Sequence, residues 1–542
     1  MRIIVLAFLA VLVGVALAAC SKTVSVDLTL VEPCDQKNQA LNGIASFVVS
    51  TSGAKPTDDT VAFSVDQGPQ PVDIGLGDVI VTVKAFTQDV SGAGAASTVP
   101  QSVGRTSPLP ITAASQDQKA MVLVGKVDSF GKTTGLDGSC TAMTATAPVH
   151  GRHGHTATFV PVLNQVLIYG GAVWVDGTES LLASAELYDP ATGTYTPLEG
   201  VDTARAYHAA TALPDGRVLI TGGFGVVNGV VTTQETAVLF DPAVINDPFT
   251  ALQMKHARAH HTSTLIESAG LVAIVGGCFG EGDADGCTPT QAGSGAAGAS
   301  TALPVTIETF DVARGTVATV AVPAAQGLAT PRAFHDATVL DNTGNALLII
   351  TGGVDSNGTV CSVEAFGVDG GVLTRRSVGD LAPFPANKCP ARHAAVAIDN
   401  QRIVIIGGQT QAPGGAPSGP GSGDAFIFLT SSGVEQTPSL HLFGGGGRFG
   451  HLATKLADDT VLVVGGTTSP AAPTAEVLPL VGEARVLAGP PGTARDHAAM
   501  AILPGTSPAI PGLGASEVLV SGGYTTAPPF ETSDDVEVYF GP

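Results

Sequence analysis

The polar residues that recur most regularly in this chain are an arginine and a histidine a few positions apart, seven times over. Arg152, Arg205, Arg258, Arg332 and Arg448 precede His155, His208, His261, His335 and His451 by three positions. Arg392 precedes His393 by one, and Arg495 precedes His497 by two. A guanidinium offers paired donors in one plane, a fork that matches carboxylates and phosphates. Seven of the 25 basic residues gathered at one mouth would form a positive funnel in a chain of net charge −22. Such a mouth would take an acidic ligand, an anionic glycan or a carboxylate-rich peptide. The competing use is structural. Glu186, Glu308, Glu364, Glu476 and Glu537 recur at matching places downstream, so the same arginines could be held in ion pairs within the repeats. The recurring histidines read as packing and hydrogen-bonding groups at strand starts.

Other constellations offer less chemistry. Glu281, Asp283 and Asp285 alternate in a glycine-rich loop but lack the distal bidentate glutamate of a calcium loop, so they read as solvated acid. Gly444–Gly447 is followed by no Lys-Ser/Thr and is no phosphate loop. There is no C-x-x-C and no nucleophile elbow. With 47 acidic residues against 25 basic, phosphate backbones are repelled and nucleic acid is excluded as a partner. One Trp and 5% aromatics argue against an aromatic platform for carbohydrate.

The elements that must position these residues are short strands. With 68 Gly and 36 Pro the chain has almost no room for long helices, and an all-β protein is expected. A β-branched run ending in Gly-Gly recurs at Gly170-Gly171, Gly222-Gly223, Gly276-Gly277, Gly352-Gly353, Gly407-Gly408, Gly465-Gly466 and Gly522-Gly523. Each run is preceded by the His-led strand and followed by a third strand, as in Ala185–Pro190, and in most copies by a fourth, as in Thr194–Leu198. Continuous Val/Ile/Leu runs mark strands covered on both faces. A unit of this size cannot bury both faces alone, so copies must stack.

This pattern resembles the Kelch repeat. The resemblance implies a seven-bladed Kelch-type β-propeller over residues 148–542. Residues 20–130 lack that signal, and their strand-like runs, such as Ala45–Ser50 and Val79–Phe86 separated by turn clusters, read as a small β-sandwich-like domain. The Kelch fourth-strand Trp is absent, and Trp174 sits after the first Gly-Gly instead. In Kelch adaptors, arginines entering the innermost strand line the central pocket and bind acidic partners. The chain ends after the third strand of the seventh repeat, so a closing strand must come from upstream. Residues 131–147 are expected to supply linker and strand, through Thr141–Thr146. Two insertions, 278–302 and 412–423, follow Gly-Gly pairs. Cys278 and Cys287 share the first and are expected to pair. Cys361 and Cys389 fall in the fourth repeat and its exit, which leaves Cys34 with Cys140.

Residues 1–19 carry one cation, an uncharged apolar run and small residues before Cys20, the pattern of a secretory signal. Leu17-Ala-Ala-Cys20 resembles the lipobox of bacterial lipoproteins, which implies a diacylglycerol thioether on Cys20 and a mature chain beginning there. Ser21 is similar to the sorting residue of outer-membrane lipoproteins. The expected protein is therefore extracytoplasmic and anchored by lipid to the outer membrane of a Gram-negative bacterium. It is a binding or scaffold protein for a protein or glycan ligand, with no cofactor beyond the lipid. The alternative is a copper radical oxidase. Arg205-Ala-Tyr207-His208 resembles the Tyr-His segment of galactose- and glyoxal-oxidase-type propellers, which makes Tyr207 and His208 its copper candidates. Those enzymes also need a Cys–Tyr crosslink and a further His after the propeller, which are missing here.

Overall fold

Six of the seven Gly-Gly repeats fold into four antiparallel strands, and the seventh into three that an upstream strand completes. The computed structural model describes residues 9–11, 13–14, 26–132, 151–280, 307–409 and 421–541, apart from short stretches within those ranges. In the first repeat the strands are Thr156–Val160, Gln165–Tyr169, Ala185–Asp189 and Thr194–Leu198, in that order across the sheet. The described residues contain seven such four-stranded sheets. Second strands are the most apolar because both faces are covered: Leu271–Val275 and Val461–Val464 are buried throughout. Each sheet shares an apolar cluster with the next. Tyr169 and Leu187 of repeat one meet Val218 and Phe240 of repeat two, and so on around to Leu519 and Val538 of repeat seven, which meet Ile168 and Tyr188 of repeat one.

The Gly-Gly pair makes the joint between sheets. Gly171, Gly223, Gly277, Gly353, Gly408 and Gly466 donate their N–H groups to the carbonyls of Arg205, Arg258, Arg332, Pro390, Arg448 and Arg495 in the following repeat. Gly523 donates to Arg152, so the circuit returns to its start, with all seven bonds at 2.7–2.9 Å. The preceding glycine has no room for a side chain. A methyl at Gly222 (φ +56°) would lie 2.2 Å from the Arg258 carbonyl oxygen and 2.7 Å from His261 Cε1. Both the left-handed backbone and the close approach demand glycine there.

The strand that completes the seventh sheet lies upstream of the expected run. Ser129–Lys132 pairs antiparallel with Val536–Phe540, with Ser129 opposite Phe540 and Lys132 opposite Glu537. Phe130 packs 5.4 Å from the Tyr539 ring inside the cluster joining repeats six and seven, an apolar anchor that the small residues of Thr141–Thr146 cannot match. Residues 141–146 lie outside the described residues, as do most of both insertions and Cys20, Cys140 and Cys287. Cys361 is bonded to Cys389, while Cys34 and Cys278 are bonded to cysteines outside the described residues.

The N-terminal unit carries its own core. Val26–Val31 and Gln118–Leu123 run parallel, and Ser46–Ser52, Thr60–Ser64, Gly77–Phe86 and Ser102–Arg105 form a second, antiparallel sheet. Val26, Leu28, Phe47, Val49, Phe63, Val81, Val83 and Val122 from the two sheets make one buried cluster. Leu9–Val11 lies along Val26–Leu28. No helix among the described residues is long and apolar enough to cross a membrane.

Candidate functional site

Six of the seven arginines do not line a mouth. Arg258, Arg332 and Arg448 are 0% exposed, and Arg152, Arg205 and Arg495 are nearly so. Arg258, Arg332 and Arg448 contact Glu308, Glu364 and Glu476 at 2.6 Å, and Arg152 and Arg495 pair with Glu186 and Glu537. The other terminal nitrogen of each donates to the carbonyl of the first glycine of its own repeat, as Arg448 does to Gly465 at 2.8 Å. Their charge is consumed within the repeats, and the seven-arginine funnel is withdrawn. Arg205 has no glutamate partner, because Val238 stands where five other repeats place Glu. Its guanidinium bonds Gly222 O, Thr236 and the Tyr169 hydroxyl instead.

Two repeats are out of register with the sequence reading. Arg392 is not a fifth-repeat version of the buried arginine. Pro390 occupies that place, accepting from Gly353, and Phe426 replaces the glutamate. His497 is likewise not the strand-leading histidine. Gly523 faces the Cβ of Ala498 at 3.1 Å where Gly171, Gly223, Gly277 and Gly466 face His155, His208, His261 and His451. The six true strand-leading histidines are buried, and the Nε2 atoms of all but His451 bridge to the preceding repeat: His261 to Thr221, His393 to Thr351, His155 to Ser521. Where that hydroxyl is missing, the first strand supplies one, Thr156 for His208 and Thr262 for His335. Burial, with nearby arginines, pushes His208, His335, His393 and His451 down to about 3.

Arg392 and His497 belong to a different set. Immediately before each innermost strand, one residue adopts the left-handed conformation: Gly154, Tyr207, His260, Phe334, Arg392, Gly450 and His497, with φ between +51° and +67°. Their peptides form a chain of hydrogen bonds from repeat to repeat: Tyr207 N–H to Gly154 O, His260 to Tyr207, Phe334 to His260, Arg392 to Phe334, Gly450 to Arg392, and Gly154 to His497. Glycine serves this backbone at no steric cost, while a residue with a Cβ costs roughly 1–2 kcal/mol. Five positions nevertheless carry large side chains, all half-buried. Their rings meet: His260 is 4.2 Å from Phe334 and 5.0 Å from Tyr207, Tyr207 is 5.3 Å from His497, and the Arg392 guanidinium lies 4.6 Å over Phe334.

A polar cluster completes this mouth where repeats seven, one and two meet. The residue between the buried arginine and the left-handed position is Ala206, Ala259, Ala333 or Ala391 in four repeats, but His153 in the first and Asp496 in the seventh. His153 is fully buried, stacked on Trp174 and edge-on to Tyr524 at 5.1 Å. Glu179 Oε1 accepts from the Tyr207 hydroxyl at 2.7 Å and lies 2.8 Å from His153 Nε2. Burial works against ionisation of Glu179, but the bonds from His153 and Tyr207 hold its carboxyl below the usual range. Asp496 is held low in the same way, burial being outweighed by His497, Thr467 and Arg392. Sequence reasoning missed His153, Trp174, Glu179, Asp496 and Tyr524. The signal was there: these are places where a repeat departs from its own pattern.

The copper candidates separate. Tyr207 faces the mouth and donates to Glu179, whereas His208 points into the joint with repeat one and bonds Thr156. Among the described residues no three His, Cys, Asp or Glu side chains converge to hold a metal ion. Tyr207 and His208 therefore do not converge on one site.

No known family model matches the chain, and no curated protein does. Solved structures similar to it include a fungal alcohol oxidase of the AA5 family in complex with copper, at 16% identity over 72% of this chain and 75% of that one, with a TM-score of 0.47. Another is YjhT, at 15% identity over 61% of this chain and 93% of that one, with a TM-score of 0.41. Both likenesses concern the fold alone.

Proposed function

We propose that the seven four-stranded sheets are the blades of a Kelch-type propeller. It serves as a binding or scaffold module anchored outside the cytoplasm by a lipid on Cys20, and the left-handed ring is its ligand-contacting mouth. One observation carries the reading. Five bulky residues, Tyr207, His260, Phe334, Arg392 and His497, occupy a backbone conformation that glycine adopts in the two remaining repeats. Strain of this kind persists where side chains are needed for something other than stability. The ligand class follows from the lining: ring faces for stacking, one guanidinium, and the Glu179 carboxylate to accept hydroxyl or amide donors. A polar protein segment or a glycan suits that set. Composition alone argued against an aromatic platform, but the fold gathers Trp174, Tyr207, Phe334 and Tyr524 into one place.

The test has two parts. Cys20→Ala is expected to abolish lipid attachment and processing, read by mass and by carbonate extraction of membranes. Pull-down with the mature chain is then compared with Phe334→Gly and Arg392→Gly. Partners retained by both variants would remove the mouth from the reading.

A further inference from the structure

We propose that the mouth faces away from the bilayer, toward the aqueous side. This rests on the anchoring of Cys20 stated above. The innermost strands start at the mouth and end on the opposite face: Thr156 follows Gly154 by two residues, and Val160 leads into the turn at Asn164. Third strands run the same way, so Phe540, at the end of Val536–Phe540, also lies on that opposite face, as do Leu503 and Glu517.

The N-terminal unit docks there. Arg105 donates to Glu517 at 3.0 Å. Leu123 shares a groove with Phe159, Asn164, Leu503 and Phe540. Asp128 N–H bonds Phe540 O at 2.9 Å, and the Asp128 carboxylate accepts from the Tyr539 hydroxyl at 2.8 Å. The docking contacts come from one end of the unit. Gln36, just past Val26–Val31, donates to Ser129 Oγ at 2.9 Å, and the parallel partner strand ends at Leu123 in the groove. Val26 and Gln118 are paired at the other end of those strands. A six-residue strand spans roughly 20 Å, so the chain enters the unit about that far from its docked end.

Cys20 precedes Val26 by six residues. The order from the membrane outward is therefore lipid, N-terminal unit, far face of the propeller, mouth. The chemistry of the mouth agrees. Arg392, His497 and Glu179, all part-exposed, would lose their hydration in acyl chains, at several kcal/mol for each polar group left unmatched.

The only tryptophan of the chain, Trp174, lies at the mouth and reports on it directly. The lipidated chain is reconstituted into phosphatidylethanolamine–phosphatidylglycerol vesicles and floated on a density gradient. Its emission is then titrated with acrylamide from the water side and, separately, with brominated acyl chains in the bilayer. Expected are co-flotation, acrylamide quenching equal to that of the detergent-solubilised chain, and no loss of emission to brominated lipid. A chain that floats but is quenched by brominated lipid overturns the orientation and leaves the anchor standing. A lipidated chain that does not float removes the anchor, and this proposal with it.

Discussion

Gly523 donates its backbone N–H to the carbonyl of Arg152 at 2.8 Å, joining the last repeat to the first with the same bond that joins every other neighbouring pair. That bond exists only because Gly522, beside it, leaves room. A methyl there would lie 2.3 Å from the Arg152 carbonyl oxygen and 2.6 Å from His155 Cε1.

Substituting the first glycine of a pair should therefore cost far more than backbone strain. Gly222→Ala and Gly522→Ala combine a positive φ with a clash against backbone that cannot move without parting two sheets, and each should destabilise by about 3 kcal/mol or more. Gly229 (φ +79°) and Gly371 (φ +81°) have nothing within 4 Å, so Ala there should cost only the left-handed strain, about 1–2 kcal/mol. Urea midpoints of the four variants make the comparison, and equal losses would contradict the close-approach account.

The buried ion pairs make a second prediction, with a control built into the chain. Arg448→Ala leaves Glu476 buried without its partner and should cost about 3–5 kcal/mol. Replacing both, Arg448→Met with Glu476→Leu, should recover most of that loss, because an apolar pair of similar volume is often neutral. The fifth repeat already carries Pro390 and Phe426 in these two places and keeps its sheet. If the double variant melts no higher than Arg448→Ala, the pair contributes more than mutual neutralisation.

The repeat itself was legible in the sequence because its cause is local: a strand covered on both faces must be apolar throughout, and a joint that excludes Cβ must be glycine. Register within the repeat was less so. Arg392 and His497 look like members of the Arg and His columns, yet Pro390 and Ala498 hold those positions, and only the bond from Gly353 to Pro390 and the contact of Gly523 with Ala498 reveal it. The departures His153 and Asp496 were legible in their columns, but the mouth they help to form was not, for a different reason. His153, Trp174, Glu179, Asp496 and Tyr524 are brought together from repeats one and seven by closure of the ring, a long-range event that no spacing encodes.

Acid should destabilise the fold before carboxylates titrate. His208, His335, His393 and His451 sit near 3 in the folded chain, and His155 and His261 are also lowered, against an unfolded value near 6.5. A lowered folded pKa means that the unfolded chain binds the extra proton. Stability is then present above about pH 7 and lost as pH falls from 6.5 toward 3. The slope approaches ~1.4 kcal/mol per pH unit for each histidine. Asp336 works the other way: burial raises it to about 6, so it adds stability between 6 and its ordinary value near 3.8. Asp336 offsets one histidine of six, and Glu517, also raised by burial, works in the same direction. The urea midpoint should fall steeply between pH 7 and 5, and a flat midpoint over that interval would refute the buried neutral histidines.

The disulfide between Cys361 and Cys389 spans a separation of 28 residues, which in the chain-entropy model constrains the unfolded state by about 3–4 kcal/mol. Cys361→Ala with Cys389→Ala should lower the melting temperature by that equivalent. It should leave the mouth intact, with Trp174 emission unchanged.

The mouth makes the sharpest prediction, because stability and binding should move in opposite directions. Arg392 holds φ +53° with a half-buried side chain, and its main-chain N–H still has Phe334 O as acceptor when the side chain is removed. Arg392→Gly relieves the left-handed strain, a gain of roughly 1–2 kcal/mol. It gives up the stacking of the guanidinium on Phe334, about 0.5–1 kcal/mol, and a comparably modest attraction to the Asp496 carboxylate. The net should be neutral or slightly stabilising, so the variant should melt at or above the wild-type temperature. A residue kept at that cost for its side chain should be missed in binding, and partner recovery should drop with Arg392→Gly while the fold is unharmed. His497→Gly provides a partial check, since it also removes the contact with Asp496 and need not gain stability. Were Arg392→Gly to melt well below wild type, the guanidinium would be a structural brace. The left-handed ring would then owe its side chains to packing between repeats rather than to a ligand.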